Sequence, residues 1–345
     1  MIAAATSPSE LYVWLHNAWQ RAGWPEGIWL VLWAVVVAAI IMVFVLLTVL
    51  ILVWVERKVA GDIQSRLGPA RVGTRFGLLQ TAADALKLLL KEDIIPACAD
   101  KPLFVVAPFV VFVPAFMAYL VIPFGKGLIA ENLDLGVLYV VAVSALPALG
   151  FLMAGWGSNN KYAILGGMRA VAQLMTYEVP LGLAVLAVVV AVGSLSTVDI
   201  VAHQRWWNAI SSPPLFIAFV VYFICAMAEV NRIPFDLPEA EAELVAGYHT
   251  EYSGMRWAIF FMGEYGYLFF VCAFATTLFL GGWHGPFLPP ILWFLIKTYA
   301  LIIAMMWIRW TYPRLRIDQV MRFGWKVLVP VALLNLIFAA VWFAG

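Results

Sequence analysis

The sequence predicts an all-α polytopic membrane protein: about eight transmembrane helices, amphipathic interfacial helices beside them, and both termini on one side of the bilayer. Three observations predict it. Of 345 residues, 64% are hydrophobic and only 12% charged, with a mean hydropathy of +0.94, a composition foreign to soluble domains and to nucleic-acid binders. The apolar residues fall into runs of about 20, the length that crosses a bilayer. The basic residues sit in alternate links, as the positive-inside rule requires. The chain reads as one membrane domain over 1–345.

Residues 1–27 form an interfacial segment. Ser7-Pro8-Ser9-Glu10 is a capping box ahead of Leu11, Trp14, Leu15, Ala18 and Trp19, which share a helical face. The first long apolar run starts after residue 27 and exceeds the length of a leader's apolar region, so no signal peptide is expected. That run, 28–55, is the first span and stops at Glu56-Arg57-Lys58. The next stretch, 56–101, holds eight of the 21 Lys and Arg residues and is too polar to cross, yet it keeps helical periodicity. Val55, Val59, Ile63 and Leu67 line one face against Lys58, Asp62 and Arg66, and Gly68-Pro69 ends that helix. Beyond Gly73, Gln80, Asp84, Lys87 and Lys91 form one polar stripe on an apolar segment. Taken alone, this is a surface amphipathic helix whose cations snorkel to headgroups.

Spans two to eight follow at 103–123, 137–156, 174–194, 215–231, 257–280, 288–308 and 325–344. Pro108, Pro114 and Pro147 predict kinks packed against neighbours. With the N-terminus outside, about 17 of the 21 Lys and Arg fall in the links after spans one, three, five and seven. Arg21, Lys126 and Arg205 remain outside and Lys297 within a span. The loops 56–101 and 229–256 and the link TYPRLRIDQVMRFGWK therefore share the cytoplasmic side.

The stretch from Ala228 to Tyr252 carries the chain's densest acid: Glu229, Asp236, Glu239, Glu241, Glu243 and Glu251 against one fixed cation, Arg232. Asp236 with Glu239 reads as a helix N-cap box, with Pro238 in the first turn and Gly247 as the stop. Capping accounts for those two acids but does not ask for Glu241 and Glu243. At helical spacing Glu239 and Glu243 share a face, and crowding them near Glu229 in a partly dry site couples their titrations. Such a group can hold and pass protons.

Ionisable groups at membrane depth mark functional paths by default, since each costs several kcal/mol unless paired, hydrated or neutralised. Glu178, Glu229, Glu264 and Lys297 are such groups. For Glu229 the competing reading is an i,i+3 pair with Arg232; Glu178 and Glu264 have no cation near in sequence. Of the histidines, only His249, between Glu243 and Glu251, is placed to relay protons. Cys98, Cys225 and Cys272 are scattered with no CxxC or Cys/His spacing, so no metal, flavin or iron–sulfur cluster is expected on this chain itself.

At these residues the sequence resembles a known family. ERKVAGDIQSRLGPARVG at 56–73, GLLQTAADALKLLLKE at 77–92 and PFDLPEAEAELVAG at 234–247 resemble the H subunit of bacterial respiratory complex I, the proton-pumping NADH:quinone oxidoreductase, whose mitochondrial counterpart is NADH dehydrogenase subunit 1. GYHTEYSG at 247–254 and WIRWTYPRLRIDQ at 307–319 extend the likeness over nearly the whole chain. The resemblance implies a multi-pass subunit of the bacterial inner membrane with periplasmic termini. Its substrate would be a quinone, ubiquinone or menaquinone, in a cavity shared with peripheral-arm iron–sulfur and quinone-site subunits. It implies that Glu56 and Arg57 line this cavity and that Asp84 and Lys87 lie toward its mouth. It also implies that Glu241, Glu243 and Glu251, beside Asp236, lead through Glu239, Glu229, Glu178 and Glu264 toward small membrane subunits and antiporter-like subunits.

Three other readings compete. A membrane subunit of a hydrogenase-type complex would use the same helices without quinone. A proton-coupled secondary transporter explains buried carboxylates but predicts inverted repeats, and no convincing repeat is present. A purely structural anchor would tolerate loss of Glu178 and Glu264.

Overall fold

The computed structural model describes residues 16–17, 19–20, 25–73, 76–204 and 208–344. The predicted cap at 7–10 and most of its helix lie outside these residues. The described residues are helical throughout, with no strand beyond one isolated bridge, Gly125 to Leu128. Helix α1 (Glu26–Ile63) is followed by the short α2 (Gln80–Leu90), then α3 (Lys101–Met117) with a 3-10 extension to Val121. Next come α4 (Gly136–Ser144), α5 (Leu146–Gly157), α6 (Lys161–Val192), α7 (Thr197–His203), α8 (Asn208–Ser211) and α9 (Pro213–Glu229). After α10 (Glu241–Leu244) come α11 (Gly254–Phe279), α12 (Pro290–Thr311), α13 (Ile317–Phe323) and, through a π segment, α14 (Val329–Ala344).

Seven helical stretches are long and apolar enough to cross a membrane: α1, α3 with its extension, α4 with α5, α6, α11, α12, and α13 through α14. Each coincides with a predicted span. The remaining predicted span corresponds to α9, which has 17 residues and measures about 25 Å at 1.5 Å per residue.

The bundle is organised around α11, 78% of whose apolar window is buried against 22% for α1. The most apolar helix is thus peripheral and the least apolar one central. Lipid is as apolar as leucine, so hydrophobicity does not drive helices inward, and the helix that carries Glu264, Tyr265 and Tyr267 is the one its neighbours enclose.

Two predicted boundaries move. The helix predicted from Val55 to Leu67 is the continuation of α1, which ends at Ile63, short of the predicted stop at Gly68-Pro69. α6 begins at Lys161 rather than 174; Asn160 caps it by accepting from the Tyr162 amide at 2.9 Å. Lys161 and Arg169, read as link residues, are therefore helical, and the first three turns of α6 carry the acidic loop.

That loop departs most from expectation. No helix starts at Asp236: residues 230–240 are non-helical, and only α10 and a 3-10 turn at Gly247–His249 follow. The capping box fails because the Asp236 carboxylate is taken by Arg314 at 3.0 Å. Gly247, predicted as a helix stop, is a close-contact residue. With φ of +58°, a Cβ there would lie 1.7 Å from the Pro238 carbonyl oxygen, so no other residue lets the two limbs of the loop meet.

The amphipathic helix predicted from Gln80, Asp84 and Lys87 is α2, with Leu86, Leu89 and Leu90 exposed on its other side. Its following residues dock on the start of α11 through Ile94 N to Ser253 Oγ, 3.1 Å, and Arg256 to Asp93, 3.1 Å.

Candidate functional site

Glu56, on α1, is the acceptor around which the buried charges gather. Arg232 Nη1 donates to its two oxygens at 3.2 and 3.3 Å, Tyr265 OH donates at 2.7 Å, and Arg309 from the end of α12 pairs with it. Arg232 Nη2 also reaches Glu264 Oε1 at 3.0 Å, and the guanidinium lies 4.3 Å over the Tyr265 ring. Arg232 is only 3% exposed. A charge so desolvated persists only when paired. The carboxylates of Glu264 and Glu56 supply that balance, and against the effect of burial their charges raise Arg232 above its ordinary range.

This removes the competing reading of Glu229 and gives Glu264 a partner. Arg232 does not pair with Glu229, three residues before it; it turns to Glu56 and Glu264. Glu264, without a cation nearby in sequence, has one in space.

Glu229, at the end of α9, accepts instead from Tyr267 OH at 2.6 Å. Glu229, Tyr267, Glu264, Ser144 and Asn231 are the polar lining of a cavity of about 20 Å³, closed by apolar residues of α3, α5 and α6. A volume of this size with several polar partners suits one water. Beside it, Gln173 on α6 donates to the Ala228 carbonyl at 2.7 Å and to Asn231 at 3.1 Å, which fixes the exit from α9. Glu178 lies further along α6, half-buried, near enough for its charge to act on Glu229.

Three contacts fasten the acidic loop to α6. Asn160 Nδ2 donates to Glu251 at 2.6 Å, Gly166 packs on Gly247, and Arg169 Nη1 donates to Glu243 at 2.6 Å. Glu239 and Glu243 consequently do not share a helical face. Glu243 faces Arg169 and is 54% exposed, whereas Glu239 turns inward, with Tyr248 OH at 3.4 Å and His249 Nδ1 at 3.8 Å. Burial first, then the charges of Glu264 and Asp236, push Glu239 well above the usual carboxylate range, with Arg232 offsetting part of the rise. Burial lowers His249 to about 4. At neutral pH the imidazole is uncharged, and burial favours the protonated form of Glu239. The Glu241 side chain lies outside the described residues.

Arg57 and Asp84, which the resemblance assigns to the lining and to the mouth of the cavity, form an ion pair between α1 and α2, 43% and 34% exposed. Lys87 is exposed one turn further along α2. This pair is separate from the Glu56 cluster: adjacent residues of α1 face different sides, Glu56 inward and Arg57 outward.

Lys297 is buried and donates to the carbonyls of Leu280 and His284 at 2.7 Å and of Gly282 at 3.1 Å, closing the end of α11. Among the described residues no group of three or more His, Cys, Asp or Glu side chains is placed to hold a metal.

Sequence reasoning missed Arg309, Arg314, Tyr265 and Tyr267. Arg309 was detectable only as a cation in the last turn of an apolar helix, a position that snorkelling explains equally well. The tyrosines carried no signal in a chain with 12 of them.

A family model for NADH dehydrogenase matches residues 36–340. The chain is 53% identical over 298 residues to the H subunit of the NADH-quinone oxidoreductase of Geobacillus kaustophilus (strain HTA426), covering 84% of this chain and 89% of the relative. It is 54% identical over 293 residues to a protein of the same name from Geobacillus sp. (strain WCH70), and 52% identical over 293 residues to one from Bacillus cytotoxicus. In both cases 84% of this chain and 87% of the relative are covered.

Proposed function

The chain belongs to the family of NADH-quinone oxidoreductase H subunits, and from that premise we propose that it forms much of the quinone cavity and the carboxylate path coupling quinone reduction to proton movement. As a membrane-spanning subunit of that oxidoreductase it works with other complex I subunits. In our reading these are peripheral-arm iron–sulfur and quinone-site subunits on the cytoplasmic face, and small and antiporter-like membrane subunits alongside. The substrate is a membrane quinone, and the electrons come from a partner.

The observation that carries the reading is a run of buried and half-buried carboxylates. Glu239 and Asp236 in the loop stand against Glu264 and Arg232; Glu264 opens on the cavity that Glu229 and Tyr267 also line; Glu178 lies beyond. Glu264, Glu229 and Glu178 are expensive in a membrane unless paired, hydrated or protonated, and crowding disfavours full ionisation of Asp236 and Glu239, so the cheapest change available to the chain of groups is a shift of protons along it. The described cavity is of water size, so the quinone site needs the face formed by α1 and α2 together with a partner subunit. Arg57, Asp84 and Lys87 supply its polar groups, and the exposed leucines of α2 suit an isoprenoid tail.

Arg57→Ala tests the quinone half. The pair with Asp84 is exposed enough that its loss costs about 1 kcal/mol or less, so the assembly is expected to survive. NADH oxidation with a quinone acceptor falls severalfold, while electron transfer from NADH to an artificial acceptor that bypasses quinone is unchanged. Equal loss of both rates in an intact assembly would count against a quinone role.

The orientation proposed is that of eight spans, with α9 as the shortest, loops 56–101 and 229–256 cytoplasmic, and periplasmic termini in the bacterial inner membrane. Basic links support it. Cysteines placed at Ala3 and Gly345 are expected to react with an impermeant thiol reagent on intact spheroplasts; labelling confined to inverted vesicles would reverse the topology.

A further inference from the structure

One guanidinium joins the two halves of the site. Arg232 stands three residues past α9; its Nη1 donates to Glu56 on α1, and its Nη2 lies 3.0 Å from Glu264 on α11 as an ion pair. The two carboxylates differ in what else they hold. Glu56 also has Arg309 and the Tyr265 hydroxyl. Glu264 has no ion-pair partner besides Arg232 among the described residues, and its carboxylate borders the cavity shared with Glu229. The remaining groups facing the cluster come from the loop, Asp236 and Glu239, and Asp236 is already paired with Arg314. Among the described residues Arg232 Nε and Nη2 make no hydrogen bond, Nη2 meeting Glu264 only as an ion pair, so the fork is not locked by a full set of acceptors.

Resting on the glutamate-path reading, we propose that Arg232 is a positioning residue that gates Glu264, holding it ionised while shared and freeing it to take a proton when the guanidinium moves wholly onto Glu56. Glu56 remains compensated in either position, because Arg309 and Tyr265 stay with it. Glu264 does not: once Arg232 leaves, a bare carboxylate at membrane depth needs a proton. That proton leaves the Glu239 carboxyl and arrives on the Glu264 carboxylate. When Arg232 returns, it passes through the single-water cavity to the Glu229 carboxylate. No bond other than O–H is made or broken. Negative charge arriving on the Glu56 side draws the guanidinium that way, so quinone chemistry at α1 is read at α11 through one side chain.

The test uses the intact oxidoreductase in sealed vesicles and measures protons translocated per quinone reduced, alongside NADH-to-artificial-acceptor activity. Arg232→Lys keeps the charge but replaces a fork that spans two carboxylates with a single point donor. Tyr265→Phe leaves Arg232 in place and keeps the ring beneath it, but strips one donor from Glu56 and biases the guanidinium toward it. In both variants the protons translocated per quinone reduced are expected to fall to half or less, whatever rate of quinone reduction remains. An ion pair with only a structural role would change assembly or both rates in proportion, leaving the ratio untouched. A wild-type ratio in both variants overturns the gate; if Arg232→Lys does not assemble, Tyr265→Phe alone decides. Glu264→Gln run in parallel separates the two ideas. If it lowers quinone reduction and pumping while the other variants keep a wild-type ratio, the gate fails and the path stands; if its two rates are also wild-type, the path itself fails.

Discussion

Glu56→Ala is expected to cost more stability than any other single change considered. It removes the acceptor of Arg232, Arg309 and Tyr265 at once and leaves two guanidiniums with one carboxylate, Glu264, among them. Breaking a buried pair by deleting one partner costs roughly 3–5 kcal/mol, because the surviving charge stays desolvated. The purified assembly should melt well below wild type, and the intact complex should be depleted on native gels. Glu56→Gln is expected to be milder in melting, since the amide oxygen still accepts from Tyr265 and one arginine, yet it should impair quinone reduction. If the alanine variant assembled and melted with wild type, the cluster would not be a stabilising element.

The largest effect on activity is expected at Glu264. Glutamine cannot take up or release a proton, and it removes the partner of Arg232 beside the cavity. One unit charge at about 4 Å in an effective dielectric near 20 is worth roughly 4 kcal/mol, about three pKa units for a neighbouring group. Glu264→Gln should therefore lower quinone reduction and proton pumping together, by roughly tenfold or more. Glu264→Asp keeps the titrating group, loses reach and should be milder. Glu243→Gln provides the contrast: its carboxylate is mostly exposed and faces Arg169 at the loop surface, so screening limits the loss to a small fraction of that at Glu264. Both rates are measured in sealed vesicles after flavin-site activity is confirmed unchanged. Wild-type rates for Glu264→Gln would return Glu264 to a structural role.

How far the fold was legible follows from what each signal depends on. The apolar runs predicted the spans because the bilayer selects for length and hydrophobicity residue by residue. The polar stripe of α2 was readable because it repeats every turn. The helix predicted at Asp236 was misread for the opposite reason: Asp-x-x-Glu is a local cue, and a local cue loses when a distant arginine competes for the same oxygen. Likewise α6 overshoots the predicted span, because Asn160, Gly166 and Arg169 hold the loop there.

The sequence by itself determined that the protein is a helical membrane protein, which links are basic, which segment is acidic, and which carboxylates fall within or beside apolar runs. Only the tertiary structure decided how those charges are compensated. Glu56 meets Arg232, Tyr265 and Arg309 across 176, 209 and 253 residues of chain, while the cation three residues from Glu229 turns away from it. Hydrophobic burial in a bilayer follows from each segment's own composition, but a desolvated charge is satisfied by whichever opposite charge packing brings within hydrogen-bond reach, and no local pattern records that partner.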